Sequence, residues 1–288
     1  MKWILTITCM VIMVLTSLLF CTSPTPKMPD TAETLGEHLF FDTILSINKK
    51  FSCASCHKPG LSFADSVDFS PGAFGKKGRR NTPSAMNVSA QTHFFWDGRA
   101  TTLEEQALMP IANPDEMALP IDSAIKRLQA DENYVRLFKS IFNEAPSSKT
   151  LAIALAKFEN SMETPSPFDD WRINDNENAL SASAKRGFTI FSNKGKCIKC
   201  HFGPDFNNVE FRNIGLFDGI KLNDSGRADF THLASDVGKF KIGPLRNIAL
   251  TAPYMHNGMF KTLRAVIDYY NDPDKVVPNP INRDTLLS

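Results

Sequence analysis

Two pentapeptides of the form Cys-x-x-Cys-His occur in this 288-residue chain: Cys53, Cys56, His57 and Cys197, Cys200, His201. Two thiols at this spacing, followed at once by an imidazole, form the attachment site of a c-type haem. The thiols add across the porphyrin vinyl groups, and the histidine takes the iron from one face. A lone Cys-x-x-Cys also fits a thioredoxin-type redox pair or half a zinc site. Neither explains a histidine at the same offset twice. The other cysteines, Cys9 and Cys21, lie in the N-terminal segment. No thiol beyond that segment is left for a structural disulfide, so the motifs predict two covalent haems and a protein that handles electrons.

The remaining ligands of each iron decide what those electrons do. An electron carrier fills both axial positions, whereas a peroxidase needs one iron with an open face and acid–base groups above it. Outside the motifs the histidines are His38, His93, His232 and His256. The sequence alone places none of them on an iron.

The elements that must hold these groups are mainly helical. Thr31 to Phe41 reads as a short helix with Leu35, Leu39 and Phe40 on one side. Ile121 to Phe142 carries apolar residues at helical spacing with a break near Asp131, and Lys149 to Met162 continues in that style. Thr164-Pro165-Ser166-Pro167 interrupts the pattern, because two prolines cannot sit inside a helix. Ser181 opens a helix with Phe188 and Phe191 facing inward, leading into Cys197, and Thr262 to Tyr270 forms a last one. Long loops fill Phe63 to Phe95 and Phe202 to Tyr254, as is common where a cofactor replaces part of a core. The expected fold is mainly α: two cytochrome c-like haem lobes, long loops and few short strands.

Residues 1–21 have a short positive start and an apolar run, which reads as an export signal. Cys21 closes that run, and three alternatives stand: a lipidated Cys21 tethering the chain to a membrane, an uncleaved anchor, or ordinary cleavage nearby. Residues 22–30 form a polar tether, 31–165 the first haem domain and 166–288 the second. The formal net charge of +1 gives no global case for nucleic acid. Two basic clusters are local: Lys76, Lys77, Arg79 and Arg80, and Lys194, Lys196 and Lys199 beside the second motif. Such runs are usually solvated surface; a minority pair with haem propionates or steer a redox partner.

Beyond the haem motifs, an ordered set of segments resembles the bacterial di-haem cytochrome c peroxidase and MauG family. The matching stretches are Leu39-Phe40-Phe41-Asp42, Arg80-Asn81-Thr82-Pro83-Ser84, Phe95-Trp96-Asp97-Gly98-Arg99-Ala100, Glu105-Gln106-Ala107, and Pro110 with Glu116-Met117. Pro244-Leu245-Arg246-Asn247 and Thr251-Ala252-Pro253-Tyr254-Met255-His256-Asn257-Gly258 follow the second motif. The resemblance runs from about Leu35 to Tyr270. It implies an exported, periplasmic peroxidase that reduces hydrogen peroxide with electrons from a small cytochrome c or cupredoxin. It implies that His57 serves the peroxide-reactive haem, with Gln106, Pro110 and Glu116 on the distal face and Glu116 as the acid–base group. Trp96 matches a tryptophan between the haems, an electron relay. Asn81, Thr251 and Pro253 match the ligands of a calcium ion between the lobes, and homodimers are frequent. His201 would serve the second haem, which feeds electrons to the first.

Two departures bear on mechanism. The loop after the first motif, Ser70 to Gly78, contains no histidine, where the typical peroxidase has a distal one. This implies a first haem that is five-coordinate or water-bound and active without reductive release. His93 is better read as a packing or surface residue. At the position of the usual distal methionine of the second haem stands Tyr270, as in MauG, with Met255 and Met259 as rivals. Tyrosine ligation lowers the potential relative to methionine. The family pattern also continues into a further helix, whereas this sequence stops at Leu286-Leu287-Ser288. Two alternatives remain: a MauG-like oxidase that uses peroxide against another target, and a plain di-haem electron carrier.

Overall fold

The computed structural model describes residues 28–285. The signal, Cys21 and most of the tether lie outside the described residues. Among the described residues no helix is long and apolar enough to cross a membrane.

Helix α1 (Ala32–Phe41) starts at Thr31, whose side chain accepts from the Thr34 amide. It buries Leu35, Leu39 and Phe40 against α5 (Ser148–Ser161), capped by Ser147. The two backbones nearly touch: a Cβ on Gly36 would lie 1.9 Å from the Ala154 carbonyl oxygen. Only glycine tolerates that approach. Between them in sequence come α2 (Leu103–Ala112), α3 (Ile121–Gln129) and α4 (Glu132–Phe142). The break expected near Asp131 is real, because that residue caps α4 by accepting from the Asn133 and Tyr134 amides. These five helices enclose one continuous apolar core that includes Leu35, Leu39, Ile111, Leu128, Phe138 and Leu155.

The prolines at 165 and 167 end this bundle, and Pro167 opens the short α6 (Pro167–Arg172) from its first turn, where a missing amide costs nothing. Then follow α7 (Ala182–Ser192), the strand pair β1 (Phe211–Arg212) and β2 (Phe240–Lys241), the short α8 (Ala228–Thr231) and α9 (Leu263–Asn271). The two-residue strands pair antiparallel. Here the apolar cluster is smaller, centred on Leu216, Tyr254, Phe260, Tyr269 and Val277. The fold is mainly α with few short strands, as expected. Helix α2 is the longest helix that the sequence reading does not assign; the short α6 and α8 are also unassigned there.

Two arginines, one through an ion pair and one through a hydrogen bond, join the segments on either side of Pro165. Arg80 reaches across 144 positions to Asp224 at 2.7 Å and also meets Asp97 at 2.6 Å. Its side chain is 12 % exposed, so this member of the first basic cluster is not solvated surface. Arg246 bonds both Asp169 and Asp205 at 2.6 Å and donates to the Thr164 carbonyl. The Lys241 amide donates to the Trp96 carbonyl at 2.7 Å, tying β2 to the loop before α2.

Candidate active site and haem pockets

Both Cys-x-x-Cys-His segments fold into the same single turn. The amides of Cys56 and His57 donate to the Cys53 carbonyl at 3.1 and 2.9 Å, and those of Cys200 and His201 to the Cys197 carbonyl at the same distances. All four cysteines are free thiols. The His57 ring sits 6.1 Å from that of Phe40 in the core, and its Nδ1 bonds the Phe63 carbonyl at 2.9 Å. His201 repeats this with the Phe206 carbonyl, also at 2.9 Å. Each Nδ1–H therefore donates to the backbone, which fixes the tautomer and leaves Nε2 as the metal-facing nitrogen.

One cavity of about 1990 Å³ is lined by both motifs. Two unpaired thiols, an oriented imidazole and open space beside each turn fit a covalent haem at each site. Burial pushes both imidazoles toward the neutral form, the form that ligates iron.

Gln106, Pro110 and Glu116 line the cavity on the side of the first motif. Gln106 and Pro110 lie one turn apart on α2. Proline has no amide, so the Gln106 carbonyl lacks its helical donor. Glu116 follows in the turn after α2, where its amide donates to the Asn113 carbonyl. The Asn113 side chain works twice: Oδ1 accepts from the Asp115 amide at 3.0 Å, and Nδ2 donates to Glu116 Oε1 at 2.7 Å. Desolvation raises the Glu116 pKa above the ordinary carboxylate value, and the Asn113 bond opposes that rise. The loop without histidine packs directly on this turn. The Ala73 amide donates to the Glu116 carbonyl at 2.7 Å, and a Cβ on Gly72 would lie 2.0 Å from the Asp115 carbonyl oxygen.

Trp96 lines the cavity that both motifs share. Its Nε1 donates to the Asn81 carbonyl at 2.8 Å, and its ring meets that of His256 edge-on at 6.4 Å. His256 is stacked on Phe240, and burial lowers its pKa to about 4, so it is neutral here. Asn81, Thr251 and Pro253 line the same cavity. The Asn81 Nδ2 donates to the Val67 carbonyl, while its Oδ1 accepts no hydrogen bond among the described residues. That leaves the Asn81 amide oxygen as an open acceptor, one ligand of the kind calcium takes. His93 packs edge-on against Phe211 at 5.4 Å, a packing residue.

On the other side, α9 carries Tyr269 and Tyr270 in different roles. Tyr269 is 1 % exposed and donates to the Ile214 carbonyl at 2.6 Å. Tyr270 is 40 % exposed, lines the cavity and has no hydroxyl partner among the described residues. Met255 also lines the cavity, whereas the Met259 sulfur accepts from Asn257 Nδ2. Phe168, Trp171, Phe188, Phe191 and Phe206 form an aromatic wall beside His201.

Three polar residues of the cavity were not singled out from the sequence: Asn113, Glu159 and Lys241. Glu159, on α5, has no partner among the described residues, and burial lifts its pKa to about 8. Burial lowers Lys241 to about 8, and its ammonium bonds Gln91. Only Asn113 has a cue in the sequence, since it stands three residues before Glu116 and so one turn away.

A model of the di-haem cytochrome c peroxidase family matches residues 30–178. The methylamine utilization protein MauG of Methylorubrum extorquens is 40% identical over 255 residues, covering 86% of this chain and 71% of the relative. The chain belongs to the di-haem cytochrome c peroxidase family. Cytochrome c551 peroxidase of Nitrosomonas europaea is 38% identical over 248 residues, covering 85% of this chain and 73% of that one. The crystal structure of a MauG-like protein associated with microbial copper homeostasis superposes with a TM-score of 0.77 at 32% identity, covering 85% of this chain and 77% of that one. Family membership brings two haem c groups, one at each motif.

Proposed function

We propose that the protein is an exported peroxidase that reduces hydrogen peroxide to water with electrons from a small redox protein. The observation that carries this reading is the Glu116 carboxyl, outside any ion pair and held by Asn113 in the pocket of the first motif. A haem held by Cys53, Cys56 and His57 would supply a redox-active iron for the peroxide and the electrons for O–O cleavage, and two electrons from the donor with two solvent protons would restore it and release the second water. Glu116 Oε2, the oxygen not held by Asn113, takes the proton from the near peroxide oxygen. It returns that proton to the far oxygen, which leaves as water. Gln106 offers an amide to orient the peroxide, and Pro110 narrows the face. His57 and His201 are the proximal ligands, and Trp96 is the relay between the sites.

In this reading residues 31–165 form the peroxidatic domain and 166–288 the electron-transfer domain. Tyr270 is the second ligand of the haem at His201, supported by its free hydroxyl in the cavity. A calcium ion at Asn81, Thr251 and Pro253 holds the lobes together. Residues 1–21 direct export to the periplasm. A second reading, a MauG-like oxidase acting on another target with peroxide, draws on the same Tyr270 and on the docked loop without histidine.

Replacing Glu116 with Gln tests the mechanism. Glutamine keeps the shape but cannot cycle the proton, so peroxide turnover should fall by about 10²–10⁴-fold with both haems attached. Unchanged turnover removes Glu116 from the reaction. Consumption of a non-cytochrome target in place of the reduced donor favours the second reading.

A further inference from the structure

The segment that carries the second motif also carries Lys194, Lys196 and Lys199, all exposed. None of the three forms an ion pair or a side-chain hydrogen bond among the described residues. Several other cations in the same half behave differently. Arg212, Lys239, Arg246, Lys275 and Arg283 each meet a carboxylate at 3.2 Å or less. The three lysines are a local excess of positive charge in a chain whose formal net charge is only +1.

Covalent chemistry fixes where this charge stands. Lys196 precedes Cys197, and Lys199 lies between Cys197 and Cys200. Those cysteines bond the vinyl edge of the porphyrin, and the propionates leave from the opposite edge. The propionates therefore do not neutralise these lysines, and one of the two roles open to a basic run beside a haem falls away. Phe202, directly after His201, is 50 % exposed and puts an apolar ring at the margin of the same segment. A small apolar spot with a charged rim is the pattern of a brief redox encounter, in which rim charges set the association rate rather than the affinity.

We propose that Lys194, Lys196 and Lys199, with Phe202 at their margin, form the docking face for an acidic small redox protein that reduces the second haem. The proposal rests on the reading above in one respect, that electrons enter at His201. It adds the sign of the donor's charge.

The test is stopped-flow reduction of the oxidised holoprotein by a reduced acidic flavodoxin, followed at the visible bands of the second haem. Ionic strength is raised from about 0.01 to 1 M, which shortens the screening length from ~30 to ~3 Å. The second-order rate constant should fall steeply with salt. At low salt the K194E/K196E/K199E variant should be slower by about tenfold or more, because steering accelerates encounter by roughly 10–10³-fold. The glutamine triple variant should fall between. Reduction by the methyl viologen radical, a small cation, should not slow in either variant, which verifies that the haem is loaded and reducible. A flavodoxin rate that ignores salt, or that is equal in wild type and the glutamate variant, overturns the proposal. So does a loss that viologen shares in full. Peroxide consumption by the prereduced protein is measured separately. Its absence sinks the peroxidase reading while the docking result stands by itself.

Discussion

Asn113→Ala removes one amide and tests whether that amide holds Glu116 ready for proton transfer. In the wild type the Asn113 Nδ2 donates to Glu116 Oε1 at 2.7 Å, while desolvation holds the carboxyl above its ordinary pKa. A hydrogen bond to a charged acceptor contributes about 1.5–3 kcal/mol. At ~1.36 kcal/mol per pKa unit, its loss raises Glu116 further by roughly one to two pH units. The sign follows from the chemistry. The first transfer needs the carboxylate, so the rate rises with pH through the Glu116 pKa, and the variant's acid limb must lie higher. Below that limb kcat/KM for peroxide should fall by about 10–100-fold; above it most of the rate should return. The assay is kcat/KM for peroxide across the acid and neutral range, with thermal melts to register general damage. Asn113→Gln, which keeps an amide, should recover part of the shift. A limb that does not move, or a uniform loss at every pH, refutes the argument.

Three further outcomes follow from the same geometry. Arg80→Met leaves Asp224, 16 % exposed, without its cation and Asp97 with Arg99 alone, and should cost about 3–5 kcal/mol, or roughly 10 °C in Tm by calorimetry. The Arg246 guanidinium pulls Asp169 down to about 2, below its unfolded value, so that pair's stability is present above about pH 4 and lost as pH falls toward 2. Asp169→Asn should therefore lower stability by roughly 1–2 kcal/mol near neutrality, a gap that closes in acid when denaturation is followed by circular dichroism. Tyr270→Met should raise the reduction potential of the second haem by on the order of 0.1 V, within the ~0.8 V that axial ligands span, as read by spectroelectrochemical titration. An unmoved potential removes Tyr270 from the iron.

Most of the helices legible in the sequence have starts marked by chemistry as well as by period, α3 being read from its period alone. Thr31, Asp131, Ser147, Ser181 and Thr262 each accept a backbone amide at a helix start, and each stands where the apolar spacing begins. Helix α2 escaped because its buried positions are only Leu103, Ala107 and Ile111, and Pro110 sits inside it. A proline there argues against a helix until the final turn is seen to tolerate it. The haem motifs were fully legible because covalent attachment demands fixed spacing in one short segment. Arg80 was not, because its burial depends on Asp224, 144 positions away, and nothing local distinguishes it from its exposed neighbours. Glu159 and Lys241 were hidden for the same reason: only the assembled cavity makes an ordinary charged residue a desolvated one.

The distribution of carboxylates separates the two motifs more sharply than their sequences do. Around the second, the carboxylates that line the cavity are already engaged: Asp272 with Lys275, Asp274 with Arg283, and Asp284 with Arg212. The Lys275 bond holds the Asp272 carboxyl below the ordinary carboxylate range. Around the first, Glu116 and Glu159 stand outside any ion pair, and both are pushed upward by burial toward the range where a carboxyl exchanges protons near neutrality. Peroxide reduction consumes protons at the site of O–O cleavage, whereas electron delivery by tunnelling needs none. In the proposed mechanism the proton-handling pocket is therefore the one at His57. In the same proposal the pocket at His201, with its aromatic wall and a rim of lysines outside any ion pair among the described residues, is the one that receives electrons from outside.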